Sequence, residues 1–228
     1  MNYELETIAL HEGQEVDPAT GSRSVPIYQT TSFVFENTKH AADLFALKVF
    51  GNIYTRIMNP TTDVLEKRCA ALEGGVAALC TASGMSAIFL AIHTILSAGD
   101  HIIASASLYG GTDTMFRYSL PKMGITVDFV EDLTPEKVKP LIKDNTKLVY
   151  FETYGNPKGD VLDIEGICNV AHDHNIPVMV DNTFAPGLFK AFDYGVDIVI
   201  HSLTKWIGGH GTSIGGVIVD SGKFDWSS

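Results

Sequence analysis

The chain has 228 residues, of which 45% are hydrophobic, enough for a buried core near the upper size of one domain. Asp and Glu number 27 against 16 Lys and Arg, so the formal net charge is -11, and the absence of a basic stripe argues against a nucleic-acid partner. The start of the chain lacks a secretion signal, no apolar run is long enough to cross a bilayer, and three widely spaced cysteines do not form a disulfide framework, which together predict a cytoplasmic protein.

The first 62 residues differ in character from the rest. They are rich in Gly, Pro, Thr and Asp and show few periodic segments. Residues 25–33 are apolar but are interrupted by Pro26, so this stretch must pack on a partner subunit or over the chain's own sheet. We predict that residues 1–62 are an extended oligomer-contact arm and that residues 63–228 form one large domain.

Helix-like and strand-like segments alternate from residue 63 onward. The helix-like segments are 63–73, 85–96, 111–121, 135–142 and 163–174. The strand-like segments are 76–80, 101–105, 125–130, 147–151, 177–181 and 196–200, followed by a glycine-rich segment at 214–219 that we expect to return antiparallel. The strands are continuous apolar runs, which is typical of sheets covered by helices on both faces. The predicted fold class is therefore α/β, with a mostly parallel sheet flanked by helices.

A turn of small residues joins the first predicted strand to the next helix. It runs through Ser83, Gly84 and Met85. Small residues at such a turn let a phosphate approach the free amides of the helix N-terminus. Turns between strands and helices favour Ser and Gly in general, so this segment alone does not decide its role. It contains no Gly-x-Gly-x-x-Gly, which disfavours a dinucleotide-binding module.

An aspartate and a lysine follow two later strands. Asp181 ends the strand at 177–181, and Lys205 comes shortly after the strand at 196–200, preceded by Ser202 and Thr204. The two strands should be parallel neighbours, so both side chains should meet at one edge of the sheet. A lysine behind a buried strand should be partly desolvated, which would favour the nucleophilic amine.

An amine, an anion site and a carboxylate together suggest pyridoxal phosphate, whose ring nitrogen needs an acidic partner to stay protonated. The alternatives are a surface lysine after a strand and a turn or helix-capping aspartate.

Six segments carry a resemblance to a known family. They are YTRIMNPT at 54–61, SGMSA at 83–87, LYGGT at 108–112, ETYGNP at 152–157, VDNTF at 180–184 and SLTKW at 202–206. Together they resemble the cysteine/methionine-metabolism family of fold-type I pyridoxal-phosphate enzymes, from about residue 10 to the last residue. The stretch KWIGGHGT at 205–212 is most similar to the O-acetylhomoserine sulfhydrylase branch.

The resemblance implies a role for each matching residue. Lys205 would hold the cofactor covalently and move protons, and Asp181 would pair with the pyridine nitrogen. Tyr109 would lie over the ring face and help to activate the amine or the leaving group, unless it is a core tyrosine. Asn156 would lie near the ring hydroxyl, although Tyr154 stands where the family more often has a small residue. The phosphate would be held by the residues Ser83, Gly84, Met85, Ser202 and Thr204.

Two further residues would act across a subunit boundary. By resemblance, Tyr54 and Arg56 would reach the phosphate of a neighbouring subunit, since Arg suits bidentate phosphate binding, unless they are a solvated loop pair. The resemblance therefore implies a homo-oligomer, a tetramer built as a dimer of dimers.

The implied reaction is γ-replacement in methionine and cysteine biosynthesis. O-acetylhomoserine and sulfide or a thiol would give homocysteine or its thioether and acetate. The alternatives are a cystathionine γ-synthase, a methionine γ-lyase, or an inactive cofactor-binding fragment. Family members continue into a smaller C-terminal domain that supplies an arginine for the substrate carboxylate. We therefore expect this chain to be the arm and the large domain alone, with little activity.

Overall fold

The computed structural model describes residues 3–227. The chain divides into two compact units, Met1–Arg68 and Cys69–Ser228. Among the described residues, none of the helices has the length and apolar character needed to cross a membrane.

The first unit contains two short helices that the sequence pattern did not reveal. Helix α1 spans Leu5–His11 and helix α2 spans Thr38–Phe45. A third helix, α3, spans Pro60–Glu73 and includes the boundary between the units. The Asn37 side chain accepts a hydrogen bond from the backbone amide of His40 and so caps α2. This asparagine is a local signal that could have predicted α2.

The second unit is built on a seven-stranded sheet. Its strands are β1 (Ala77–Thr81), β2 (His101–Ser105), β3 (Thr126–Val130), β4 (Thr146–Glu152), β5 (Val178–Asp181), β6 (Ile198–Ser202) and β7 (Gly216–Asp220). Their order across the sheet is β1-β7-β6-β5-β4-β2-β3, and β7 is antiparallel to both of its neighbours. The other pairs are parallel. The predicted α/β class and the antiparallel return strand are confirmed.

Four helices of the second unit flank these strands: α4 (Gly84–Ile95), α5 (Gly110–Thr114), α6 (Pro135–Val138) and α7 (Ile164–His172). Two predicted helices are shorter than expected. The segment predicted at 111–121 is α-helical only as far as the end of α5. It continues as a π-helical turn and then as a 3-10 turn that contains Pro121. The segment predicted at 135–142 becomes a 3-10 turn around Pro140. A proline inside a helix removes a backbone donor and clashes with the preceding turn, which explains why neither segment is a regular α-helix at Pro121 or Pro140.

Both faces of the central strands are buried, whereas the edge strands β1 and β3 are partly exposed. Along β4, Val149 and Phe151 belong to one apolar cluster, and Leu148 and Tyr150 belong to the cluster on the other face. This alternation explains why the strands read as continuous apolar runs. Because β4, β5 and β6 are parallel, their carboxyl ends lie at one edge of the sheet, where open α/β sheets bind their ligands.

Candidate active site

A cavity of about 710 Å³ lies at this edge and is lined only by residues of the second unit. Nine of the eleven residues predicted for the site line it: Ser83, Gly84, Met85, Tyr109, Asn156, Asp181, Ser202, Thr204 and Lys205. The other two, Tyr54 and Arg56, belong to the first unit, where the Arg56 guanidinium lies 5.6 Å from the centre of the Tyr54 ring. Their action on a phosphate stays a prediction.

The turn after β6 delivers Lys205 into the cavity. The Lys205 amide donates to the Ser202 carbonyl at 3.2 Å, and the Gly209 amide donates to the Lys205 carbonyl at 2.8 Å. Both backbone polar groups of the lysine are therefore hydrogen-bonded within the turn. The Lys205 side chain is exposed, so the expectation that the buried strand would desolvate it was wrong. Strand β6 ends three residues earlier, and the turn carries the amine out of the core.

The two hydroxyls before the lysine have different environments. The Thr204 hydroxyl donates to the Gly215 carbonyl at 3.3 Å and accepts from the Gly215 amide at 3.2 Å, so it ties the turn to the segment that leads into β7. The Ser202 amide donates to the Thr183 hydroxyl at 2.8 Å. The Ser202 hydroxyl makes no hydrogen bond within residues 3–227, which leaves it available to an anion.

The turn at the start of α4 faces the Ser202 hydroxyl. Together they form a site for an anion, here called the anion cradle. The Ser83 hydroxyl accepts from the Ser86 amide at 3.1 Å, so it caps the helix rather than facing the cavity freely. The first amides of a helix, here at Gly84 and Met85, have no partner within the helix. A Cβ at Gly84 would lie 2.8 Å from the Ser202 Cβ, so only glycine allows this close approach. The result is a pair of amides beside a free hydroxyl.

Thr183 holds Asp181 in place. One carboxylate oxygen of Asp181 accepts both from the Thr183 amide at 3.0 Å and from the Thr183 hydroxyl at 2.6 Å. Burial raises the pKa of Asp181, and the two bonds from Thr183 act in the opposite direction. Sequence reasoning did not single out Thr183, although an aspartate followed two residues later by threonine is a common local hydrogen-bonding pattern.

Tyr109, which directly precedes α5, is hydrogen-bonded through its backbone to Glu152. The Tyr109 amide donates to Glu152 Oε1 at 2.5 Å. The Tyr109 side chain is half exposed to the cavity, so the alternative of a core tyrosine was wrong. Its ring covers Gly111, where a Cβ would lie 2.6 Å from Tyr109 Cε1. Glu152 itself is only 5% exposed and lines the cavity, and sequence reasoning gave it no role.

The profile of the Cys/Met metabolism PLP-dependent enzyme family matches residues 6–228. The chain belongs to this family. Its cofactor is pyridoxal phosphate, and the cavity offers the amine, the carboxylate and the anion cradle which that molecule requires.

The named relatives of the chain agree with this assignment. The chain is 58% identical to an O-acetyl-L-homoserine sulfhydrylase of Leptospira meyeri, over all of this chain and 52% of that protein. It is 56% identical to a homocysteine synthase of Schizosaccharomyces pombe, over 97% of this chain and 52% of that protein. The chain thus spans about half the length of the curated relatives it matches.

A solved structure from Campylobacter jejuni has the same fold. That protein, named as an O-acetylhomoserine (thiol)-lyase, superposes with a TM-score of 0.94 at 40% identity, over 98% of this chain and 55% of its own. It carries N'-pyridoxyl-lysine-5'-monophosphate at position 205 of its own chain. A cystathionine γ-lyase of Lactobacillus plantarum superposes with a TM-score of 0.88 at 36% identity, over 96% of this chain and 55% of its own.

Proposed function

We propose that the protein containing this chain catalyses a γ-replacement in homocysteine synthesis. O-acetylhomoserine and sulfide, or a thiol, give homocysteine, or its thioether, and acetate. A carbon–sulfur bond forms at Cγ, and the bond from Cγ to the acetate oxygen breaks. The observation that carries the proposal is the convergence of Lys205, Asp181 and the anion cradle on one cavity. The names of the Leptospira and Schizosaccharomyces relatives support the choice of reaction.

Each residue of the cavity has a proposed task. When bound, pyridoxal phosphate supplies an electron sink for carbanion chemistry. Lys205 attaches the cofactor and moves protons, a role supported by the pyridoxyl-lysine of the Campylobacter jejuni protein. Asp181, which Thr183 orients, would accept a hydrogen bond from the protonated ring nitrogen. Tyr109, in the loop before α5, would cover the ring face, and Asn156 would lie near the ring hydroxyl. The phosphate would bind to the Gly84 and Met85 amides and the Ser202 hydroxyl. Ser83, which caps α4, and Thr204, which is bonded to Gly215, would border the same site.

Reductive labelling tests the attachment site directly. Borohydride reduction of the protein with pyridoxal phosphate, followed by peptide mass mapping, should place the pyridoxyl group on Lys205. Lys205→Ala should abolish the label, whereas Lys190→Ala, which alters an exposed lysine outside the cavity, should keep it. A label that persists in Lys205→Ala would contradict the assignment.

The reaction itself is tested in the full-length protein. Sulfide-dependent formation of homocysteine from O-acetylhomoserine supports γ-replacement. Formation of an α-keto acid without sulfide would indicate a γ-lyase, and cystathionine from cysteine would indicate a cystathionine synthase. The large domain, residues 63–228, is proposed to hold the cofactor. Residues 1–228 by themselves are proposed to bind it with little turnover.

The arm is proposed to complete the site of a neighbouring subunit in a dimer of dimers. Tyr54 and Arg56 would contact the neighbour's phosphate, and residues 1–62 would lie in the subunit contact. Arg56→Ala should weaken cofactor binding without changing the sedimentation coefficient. Arg23→Ala, an exposed arginine of the same arm, is the matched control and should bind the cofactor normally. A monomer with full cofactor affinity would refute the shared site.

A further inference from the structure

Two carboxyl groups stand side by side in the cavity. Glu152 ends β4 and Asp181 ends β5, and the two residues are register partners in the parallel pair. Register partners on adjacent strands point to the same face of a sheet, and both residues line the same cavity. The proposed function uses Asp181 and leaves Glu152 without a role.

The surroundings of the two carboxyl groups are unequal. Asp181 receives two hydrogen bonds to one oxygen, both from Thr183. Glu152 receives the Tyr109 amide and is almost fully buried. Within residues 3–227, no lysine, arginine or histidine donates a hydrogen bond to Glu152. Neighbouring carboxylates in a buried site disfavour a second negative charge, so one group of such a pair retains a proton.

The other groups that face Glu152 add to this effect. Its own strand contributes Tyr150, β5 contributes Asp181, and the loop after β4 contributes Asp160. Burial raises the pKa of Glu152 to about 8. The negative charges of Asp181 and Asp160 add to that rise, and the backbone amides of Tyr109 and Asn156 oppose it. Burial also raises the pKa of Asp181, but the two Thr183 bonds and the nearby His201 lower it.

We propose that Glu152 is a positioning residue of this site. It holds the proton of the Glu152–Asp181 pair, which leaves Asp181 ionised for the ring nitrogen, and it anchors the backbone of Tyr109 at the cavity. The consequence for catalysis rests on the proposed function. The location of the proton does not, because it follows from the chain's own side chains.

Infrared titration of the protein without cofactor tests the location of the proton. The spectrum should show a protonated carboxyl band at pH 6 that is lost as the pH rises through about 8. Glu152→Gln keeps an oxygen for the Tyr109 amide and should remove the band. Asp181→Asn should keep the band but move its loss to lower pH, because a neighbouring negative charge is gone. Glu136→Gln alters an exposed glutamate and should leave the titration unchanged.

Two results would overturn the proposal. The first is a wild-type spectrum without a protonated carboxyl band at pH 6. The second is a band that survives in Glu152→Gln and disappears in Asp181→Asn, since Asp181 would then hold the proton. If Glu152→Gln does not fold, the titrations of the wild type and of Asp181→Asn still show which of the two carboxyl groups holds the proton.

The pH profile of the full-length holoenzyme tests the consequence for catalysis. In the wild type, kcat/KM should fall at alkaline pH, which gives the profile an alkaline limb. Glu152→Gln should lack that limb. A variant that retains the wild-type limb would show that ionisation of Glu152 does not affect the reaction. If no turnover is found and Lys205 is not labelled, the proposed function fails, whereas the infrared titration still decides the state of Glu152.

Discussion

Replacing Gly216 with alanine should displace the turn that is proposed to hold the phosphate. Gly216 begins β7, between β1 and β6, and a Cβ there would lie 2.1 Å from the Ser83 carbonyl oxygen and 2.7 Å from the Gly84 amide nitrogen. The nearer distance is about 1.3 Å short of ordinary contact, which begins at 3.4 Å. The obstructing atoms belong to the backbone, so the turn itself must move rather than a flexible side chain.

Overpacking of this kind costs about 1–3 kcal/mol. If the cost falls on the phosphate-binding arrangement, the affinity for pyridoxal phosphate should decrease by about five- to 150-fold, at about 1.4 kcal/mol per factor of ten. The measurement is a cofactor titration followed by absorbance, together with a urea unfolding curve for each protein. Gly110→Ala is the matched control, because a Cβ at Gly110 has no atom within 4 Å.

The outcomes separate packing from binding. Gly216→Ala with lower stability and unchanged cofactor affinity would show that the turn at Ser83 and Gly84 does not hold the phosphate. Unchanged stability and affinity together would refute the steric argument itself.

Three other predictions concern side chains of the second unit. Asp181→Asn should retain cofactor binding but lose about a thousandfold or more in turnover in the full-length protein, because an amide cannot keep the ring nitrogen protonated; near-normal turnover would make Asp181 a turn residue. Since the pKa of Glu152 is raised to about 8 in the folded protein, its stabilising contribution is fully present below the unfolded value near 4.5 and is lost as the pH rises to about 8. Between pH 5.5 and 8.5 the free energy of unfolding, measured in urea, should therefore fall by about 3 kcal/mol more in the wild type than in Glu152→Gln, at about 1.4 kcal/mol per pH unit. An equal fall in the two proteins would contradict the raised pKa of Glu152. Burial raises the pKa of the Cys168 thiol to about 12, so at pH 8 iodoacetamide should modify it about a thousandfold more slowly in the native protein than in urea, and equal rates would contradict its burial.

The strands and the location of the site could be predicted because their signals are local. Continuous apolar runs identify strands buried on both faces, and a charged residue at the end of such a run, as at Asp181, stands out. The two helices predicted too long contain Pro121 and Pro140, whose effect on the α-helix is itself local and could have been predicted. Helices α1 and α2 are only seven and eight residues long and lie in a segment whose Gly, Pro and Thr content favours irregular structure, so they were not predicted.

The role of Glu152 could not be predicted because it depends on register. Its neighbours Asp181 and Tyr109 are distant in the sequence, and only the pairing of β4 with β5 brings the carboxyl groups together. The exposure of Lys205 likewise depends on how far its turn leaves the sheet. The local sequence pattern does not indicate how far the turn extends from the sheet, so the prediction that Lys205 is desolvated was wrong.

The position of β7 has a consequence for how the chain is made. Strand β1 lies at the edge of the described sheet and pairs with β7 alone, so Ala77 finds its partner Asp220 about 140 residues later. At about 5–20 residues per second, a ribosome needs roughly 7–30 s to cover that distance. During this time the backbone of β1 is without its sheet neighbour, and β6 has an open edge. Of the seven strands described here, the last in sequence is therefore the one that joins the first to the sheet, and chaperone protection during translation should matter most for these two edges.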